Sequence, residues 1–422
     1  MKQKALVRIG GAAAAGALAL TACSVPPPAL LQADGVQRIS AESSAYQAEL
    51  ARLRESARRL GAALLADGGD GAGNVISSPG SLLIALGMLR AGASGATAAE
   101  MDSVLGLPVE HRDEAFNALQ TSLDAFGGDP GSVDDKNPPR QPVLHSANGL
   151  FVDKAVPTGA GYLQSLARHY GTGVYPVEFQ DEAATSPAID AWVSKNTGGR
   201  IKKAPAQYDR DNTFSLLNAV YFASAWNVPF DPADTAERPF TTADGRQISV
   251  PTMSGVQDLN SARGVGWQAV DLPYADGFVM RLVLPDSGTS GPAAQDVALA
   301  LESAAPAPTQ LFLPTWDQKS KFDLRKVFAS LGLQEMLQTE TGFDSIQRGL
   351  KIEKAAQSAN ITVAEKGTVA AAVTQINARA VSGMAAMNVV RFDRPFQYEI
   401  VHVETGLPLF MGRVSDPRAA GT

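Results

Sequence analysis

The sequence predicts one α+β domain extending from about Ser40 to Pro417. Three observations carry that expectation. Strand-like and helix-like runs follow one another irregularly and without an internal repeat, which excludes a regular βαβ array and a solenoid. Phe214 to Trp226 (FSLLNAVYFASAW) is apolar almost throughout, the composition of a strand buried on both faces. The stretch from Asn360 to Arg394 opens as a strand, breaks at Glu365-Lys366-Gly367, and continues in small and β-branched residues.

The chain has 422 residues, 45% hydrophobic and 19% charged, enough for a large core and unlike a disordered chain. Its formal charge is −7, which argues against an obligatory nucleic acid or other polyanion as partner. Arg200-Ile201-Lys202-Lys203 is the nearest thing to a basic run and reads as a solvated turn.

Met1 to Ala22 combines a basic start with an apolar run too short to span a bilayer, and reads as a signal peptide over 1–22. Losing Lys2, Lys4 and Arg8 with it takes the charge from −7 to −10. Leu20-Thr21-Ala22-Cys23 resembles a bacterial lipobox, with Cys23 as the lipid attachment site. Cys23 is also the only cysteine, so no disulfide can staple the domain. Residues 23–39, rich in proline at first, are expected to be a linker between lipid and domain. The chain is thus expected to be exported and membrane-anchored, on an outer-membrane, periplasmic or cell-surface face.

In order along the domain, Leu50, Leu53, Ala57, Leu60 and Leu64 form a helical stripe that ends at the Asp67–Gly71 breaker cluster. Asn74 to Ser81 follows as a short strand, with Pro79 opening a helix that runs to Arg90. Ser78 and Ser81 read as cap and turn hydroxyls on their own spacing. Gly127 to Pro142 reads as a mobile surface insertion. A strand begins at His145. Helices are expected over Leu163–Tyr170 and from Ile189 to Gly198. Asn218, inside the apolar run, must find partners or cost a few kcal/mol, about 2–7 on transfer scales. Further strands are expected at Ile248–Met253, Trp267–Leu272, Phe278–Pro285 and Gln310–Thr315. A helix follows at Leu324–Gly332, then the Leu333–Gln338 segment, and a hairpin from Phe396 to Val414 ends the domain.

The segment after Gly367 offers two readings. Thr368, Ala370, Ala372, Thr374, Ile376 and Ala378 would share one face of a strand, and nothing from Gly367 to Ala378 is charged or cyclic. Arg379 to Asn388 is polar, small and Gly-broken, like an exposed tip that proteases find. It is either a loop both cleavable and insertable, or a small-residue core element.

Glu365-Lys366-Gly367-Thr368, the alanine run (Ala370, Ala371, Ala372) and Phe392-x-x-Pro395-Phe396 together resemble the hinge and reactive-centre loop of the serpins. Asn74 to Ser81 resembles the strand and helix beneath that family's central sheet. Ser78, Ser81, Asn218 and Gln357 match its shutter region, where histidine often stands at the position of Gln357. Trp226 matches its breach. The basic residue that often pairs with the hinge glutamate would fall at Thr315. The likeness spans nearly the whole of 40–417.

The resemblance implies a serpin fold, about eight to nine helices around three β-sheets, with hinge and exposed loop over 360–395. It implies a monomeric suicide substrate rather than an enzyme: a target serine protease cleaves the loop, and the freed segment inserts into the central sheet. Family spacing from Glu365 puts the scissile bond at Val381-Ser382, which suits elastase-like or subtilisin-like proteases. Arg379, which would recruit trypsin-like proteases, and Met384, from counting back from Phe392, are the alternatives. A non-inhibitory scaffold of the same fold, or a solute-binding lipoprotein, would fit parts of the pattern.

Catalytic signatures are missing from the sequence. His111, His145, His169 and His402 are its only histidines and none stands in a metal-ligand spacing. No G-x-S-x-G, S-x-x-K or H-E-x-x-H occurs. Gly264-x-Gly266-x-x-Ala269 leads into a strand-like run rather than the helix a phosphate site requires. No metal and no cofactor are expected.

Overall fold

The computed structural model describes residues 25–68, 73–134, 136–205, 209–288, 291–368 and 387–419. Helix α1 (Gln47–Asp67) buries the expected stripe, Leu50, Leu53, Ala57, Leu60 and Leu64. Strand β1 (Val75–Ser77) leads into α2 (Pro79–Ala91), buried from Pro79 to Leu89. Helices α3 (Gly95–Leu105) and α4 (Arg112–Asp124) follow, then β2 (Val143–Asp153) and the short α5 (Ala160–Ser165). The helix expected over 163–170 changes character midway, since Leu166–Tyr170 is a π-helical turn.

After β3 (Tyr175–Val177), α6 (Glu182–Asn196) begins seven residues earlier than expected. Its start is fixed by Asp181, whose carboxylate accepts from Ala184 N at 3.1 Å. Strand β4 (Phe214–Ala225) is buried at every position, as its apolar run demands.

Next come β5 (Ala236–Thr241), β6 (Gln247–Gly264), β7 (Trp267–Pro273), β8 (Phe278–Pro285), α7 (Ala294–Glu302) and β9 (Ala307–Pro314). The chain closes with β10 (Trp316–Asp323), α8 (Leu324–Leu331), α9 (Gln334–Gln338), β11 (Lys354–Ala364), β12 (Gly367–Thr368), β13 (Asn388–Arg391), β14 (Phe396–His402) and β15 (Pro408–Val414).

These strands make three sheets. The first has the order β10-β11-β12-β4-β2-β3. The second runs β1-β15-β14-β8-β7-β6, and the third joins β5, β6, β9 and β13. The last two share β6, which at 18 residues is far longer than the six expected from Ile248–Met253. Residues from α1, α2 and α4 and from the first two sheets form one continuous core.

The first sheet carries the site. Strands β2 and β4 are antiparallel, with Val143 opposite Ala223 at the upper end and Val152 opposite Phe214 at the lower end. On the far side β11 runs parallel to β4, but only their lower parts pair, from Lys354↔Ser215 to Ser358↔Ala219. Above Ser358 the two strands part, and β12 enters between them, Thr368 opposite both Ser224 and Val363.

Two stretches differ from expectation in being tied down. Gly127–Pro142 contributes Pro139 O, which accepts from Ala225 N at 2.8 Å. Part of the expected linker is docked, because Leu31 forms an antiparallel bridge with Val174.

Candidate functional site

Within the sheet, the seam between β4 and β11 is closed by side chains as well as by backbone. Gln357 and Asn218 are register partners across it, and Gln357 Nε2 donates to Asn218 Oδ1 at 2.7 Å. Gln357 also donates to Ser78 O and accepts from Ser78 N, each at 2.9 Å. Asn218 Nδ2 donates to Ser81 Oγ and to Asn148 Oδ1, both at 2.6 Å. Ser78 Oγ donates to Leu409 O at 2.6 Å, and the Ser81 and Ser146 hydroxyls share a hydrogen bond of 2.6 Å.

Asn218 and Gln357 are 2% and 0% exposed, so each unmet bond would carry a desolvation penalty. Here every donor of both amides is used. The network joins α2, β2, β4, β11 and β15 through the point where the sheet would have to open. The Ser78 hydroxyl, expected as a helix cap, reaches β15 instead; the cap position itself has no side-chain bond.

The upper end of the seam is built around Trp226 and the hinge. Trp226 Nε1 donates to Ala364 O, its backbone N to Lys366 O, and Phe230 N to Glu365 O, all at 2.9 Å. The Trp226 ring stacks on Tyr274, with centroids 4.5 Å apart. The Tyr274 hydroxyl hydrogen-bonds the Thr368 hydroxyl, and burial pushes the Tyr274 phenol far above its usual pKa.

Glu365 and Lys366 form the two-residue turn between β11 and β12. Gly367 follows at φ +155°, and a Cβ there would overlap Ser224 O and come 2.8 Å from Ala225 Cα. Only glycine meets both demands, so the Gly identity seats the hinge. The Glu365 carboxylate accepts from Thr235 Oγ1 at 2.9 Å. Thr315 lines the same 460 Å³ cleft as Glu365. Lys366 Nζ donates to Asn137 Oδ1 at 2.8 Å, which ties the supposedly mobile 127–142 stretch to the hinge.

Of the residues singled out in the sequence, Ser78, Ser81, Asn218 and Gln357 meet at the seam, and Trp226, Glu365, Gly367 and Thr368 meet at its upper end. Ala370, Ala371, Ala372, Arg379, Val381, Ser382, Met384 and Cys23 lie outside the described residues. Ser146, Asn148, Thr235, Tyr274 and Asn137 were not picked out. Ser146 and Asn148 carried a signal: two polar residues at period 2 in a strand, as partners of a buried amide would be.

The family model described as "Serpin (serine protease inhibitor)" matches residues 55–417. The chain is a serpin. Among curated proteins it is similar to mouse alpha-1-antitrypsin 1-4, 28% identical over 356 residues, covering 82% of this chain and 83% of that one. Human neuroserpin is 29% identical over 370 residues, covering 83% and 87%. Among solved structures, the thermophilic serpin tengpin in its native state superposes with a TM-score of 0.78 at 22% identity, over 92% of this chain and 100% of that one. Thyroxine-binding globulin in complex with thyroxine gives 0.74 at 23% identity, over 88% and 99%.

These two likenesses establish the fold. Serpins are typically protease inhibitors that bind a target protease. The serpin fold found here is not the pair of similar α/β halves expected of a solute-binding lipoprotein.

Proposed function

We propose that this serpin is an inhibitor, acting once and as a monomer on an elastase-like or subtilisin-like serine protease. The catalytic serine of the protease attacks the Val381 carbonyl, and the Val381-Ser382 amide bond breaks. Ser382 leaves as a free amine that takes up the serine's proton, and Val381 stays on the enzyme as an ester. The segment from Thr368 then inserts between β4 and β11. The trapped enzyme is carried with it. Arg379 and Met384 remain the alternative reactive residues.

The observation that carries this reading is the seating of β12 in the seam. Gly367 and Thr368 already pair with β4 on one side and β11 on the other. Continuing that antiparallel register sets Ala370 opposite Phe222, Ala372 opposite Val220, Thr374 opposite Asn218 and Ile376 opposite Leu216. Phe222, Val220 and Leu216 all face the main core. The small side chains would therefore enter on the crowded face, where bulk or charge is least tolerated.

Magnitudes favour that composition. Ordering one residue costs about 1–2 kcal/mol, and each ladder bond returns about 0.5–1.5 kcal/mol with up to two per residue. The two are comparable, so an unpaired polar group at about 2–7 kcal/mol would decide the outcome. Thr368 through Ala378 carries neither a charge nor a proline.

The same reading makes Cys23 the lipid attachment site of an exported, membrane-anchored protein, supported by the lipobox-like Leu20–Cys23 and the signal-like run before it.

Mixing the protein with pancreatic elastase and subtilisin and running a denaturing gel tests the inhibitor. The expected product is a covalent band at the summed mass. Complete loop cleavage without that band would make the chain a substrate rather than an inhibitor.

A further inference from the structure

Residues 25–41 precede the span matched by the family model, yet they are bolted to the body. Leu31 N donates to Val174 O at 2.8 Å, and Val174 N donates to Leu31 O at 2.9 Å. Gly173 makes room, since a Cβ there would overlap Leu31 O. Eight residues on, Ile39 N donates to Arg168 O at 3.0 Å, and Asn117 Nδ2 to Ile39 O at 2.7 Å. Arg38 grips α4: Nε donates to Asn117 Oδ1 at 2.6 Å, Nη2 to Asn117 O at 2.9 Å, and Nη1 pairs with Asp124.

Strand register locates this strap. Val174 immediately precedes β3, whose Tyr175 lies beside Phe151, which in turn lies opposite Ser215. The bridge is therefore level with Leu216, eight residues down β4 from Ser224, where Thr368 is seated. At about 3.3 Å per residue, that is about 26 Å from the hinge. Because Leu31 pairs antiparallel with Val174, the chain before Leu31 heads toward the lower strand ends, Asp153 and Phe214.

The chemistry of that stretch is unusual for a surface tether. Val25 to Gln32 (VPPPALLQ) contains no charge. Val25, Leu30 and Leu31 are 43%, 40% and 40% exposed. Cys23 stands eight residues before Leu31, so at most about 3.6 Å per residue it lies within about 29 Å of the bridge. An acyl chain there would bring these apolar side chains to the headgroup boundary, where burial of apolar area adds to the anchor.

We propose that Val25–Leu31 lies against the bilayer and, through the Leu31–Val174 bridge and Arg38, fixes the orientation of the domain. The lower ends of β2 and β4 face the lipid, and the hinge and reactive loop face away from it. The proposal rests on the reading of Cys23 as the lipid attachment site. The occupant is a lipid surface, because the distance to Cys23 sets what the strap can reach.

Hydrogen exchange on the full acylated chain, bound to phosphatidylethanolamine–phosphatidylglycerol vesicles, reads the face. The reference is the Cys23→Ala chain free in solution. Amides in 25–31 and 171–176 should exchange at least about threefold more slowly on vesicles, with 136–140 and 365–368 unchanged. In the acylated Leu30→Asp, Leu31→Asp double variant that protection should vanish while vesicle binding persists.

Equal exchange of 25–31 in both states, or protection at 136–140, overturns the orientation. So does protection of 25–31 in the free Cys23→Ala chain that grows with concentration, which would make a second copy the occupant. Mass spectrometry of the N-terminal peptide judges the anchor separately. If Cys23 carries no acyl chain that reading fails, and coupling a maleimide phospholipid to Cys23 allows the same exchange measurement to judge the face.

Discussion

Gln357 Nε2 donates to Asn218 Oδ1 at 2.7 Å, and the two residues are direct partners across the only part of the β4–β11 seam that is closed. Insertion of a new strand, as proposed, would break that bond together with the five register pairs from Lys354↔Ser215 to Ser358↔Ala219. The amide pair would then act as a clasp on the uninserted sheet. Neither group titrates, so the clasp has the same strength at every pH where the domain folds.

Removing Gln357 leaves Asn218 Oδ1 buried without this donor, and removing Asn218 leaves one Gln357 Nε2 proton buried without this acceptor. Gln357→Ala and Asn218→Ala should each lower stability by about 1–3 kcal/mol, read as a lower Tm in thermal unfolding. Because the two act through a shared bond, the double variant should lose less than the sum of the singles. Strict additivity would show that the clasp does not couple the strands.

Gly367→Ala tests the hinge seat. The substitution places a methyl group against Ser224 O and Ala225 Cα, with no flexible side chain to give way. The hinge should leave the seam and free the Thr368 hydroxyl from Tyr274. Amides 367–368 should then exchange faster, while the Tm change stays smaller than for Gln357→Ala. A Gly367→Ala variant with wild-type exchange at Thr368 would mean that the hinge is not held by this fit.

How much of this was legible in the sequence depends on how local the cause is. Phe214–Ala225 announced itself because every side chain there is buried, and Glu365-Lys366-Gly367 because a tight turn needs its glycine. Strand β10 went unread although its burial alternates perfectly. Two of its four inward residues are Gln318 and Ser320, so hydrophobic alternation fails. Their partners are remote: Gln318 donates to Arg413 O and accepts from the Tyr398 hydroxyl, and Ser320 Oγ accepts from Ile76 N.

The lower half of β11 (KAAQSAN) was missed for a related reason, since its small and polar residues become a strand only between β4 and β10. The strap at 25–41 has no periodicity at all. Its order comes from Arg38 and Leu31 meeting groups 79 and 143 residues away, which no local pattern encodes.

His402 gives the domain an acid-sensitive element. It is 1% exposed, its Nδ1 shares a hydrogen bond of 2.9 Å with Thr405 Oγ1, and it packs against Phe126 and Phe278. Burial lowers its pKa, and the nearby Glu404 opposes only part of that. The neutral ring is thus favoured in the folded state. Its contribution is fully present above the unfolded histidine pKa, about 6.5, and is lost as pH falls through the lower folded value. Tm should therefore fall from about pH 7.5 to about pH 5.5, and His402→Gln should flatten that part of the profile. An unchanged slope in the variant would assign the acid sensitivity elsewhere.

The most demanding prediction concerns Thr368, which is 1% exposed and already between two strands. Any inserted segment must pass through this position first. Cleaving the wild-type loop with a protease that is not trapped should raise Tm by about ten degrees or more, because a full strand then joins the sheet. Thr368→Arg puts a charge where Tyr274 and the core-facing side of β4 leave no water, at a cost of several kcal/mol, about 2–7 even for a neutral polar group. That variant should be cleaved without forming a covalent complex, and its Tm should stay flat on cleavage. Thr368→Ser keeps the hydroxyl facing Tyr274 and should trap as the wild type does. If Thr368→Arg gained the same thermal stability on cleavage, the strand would be entering by a route other than the seam seen between Ser224 and Val363.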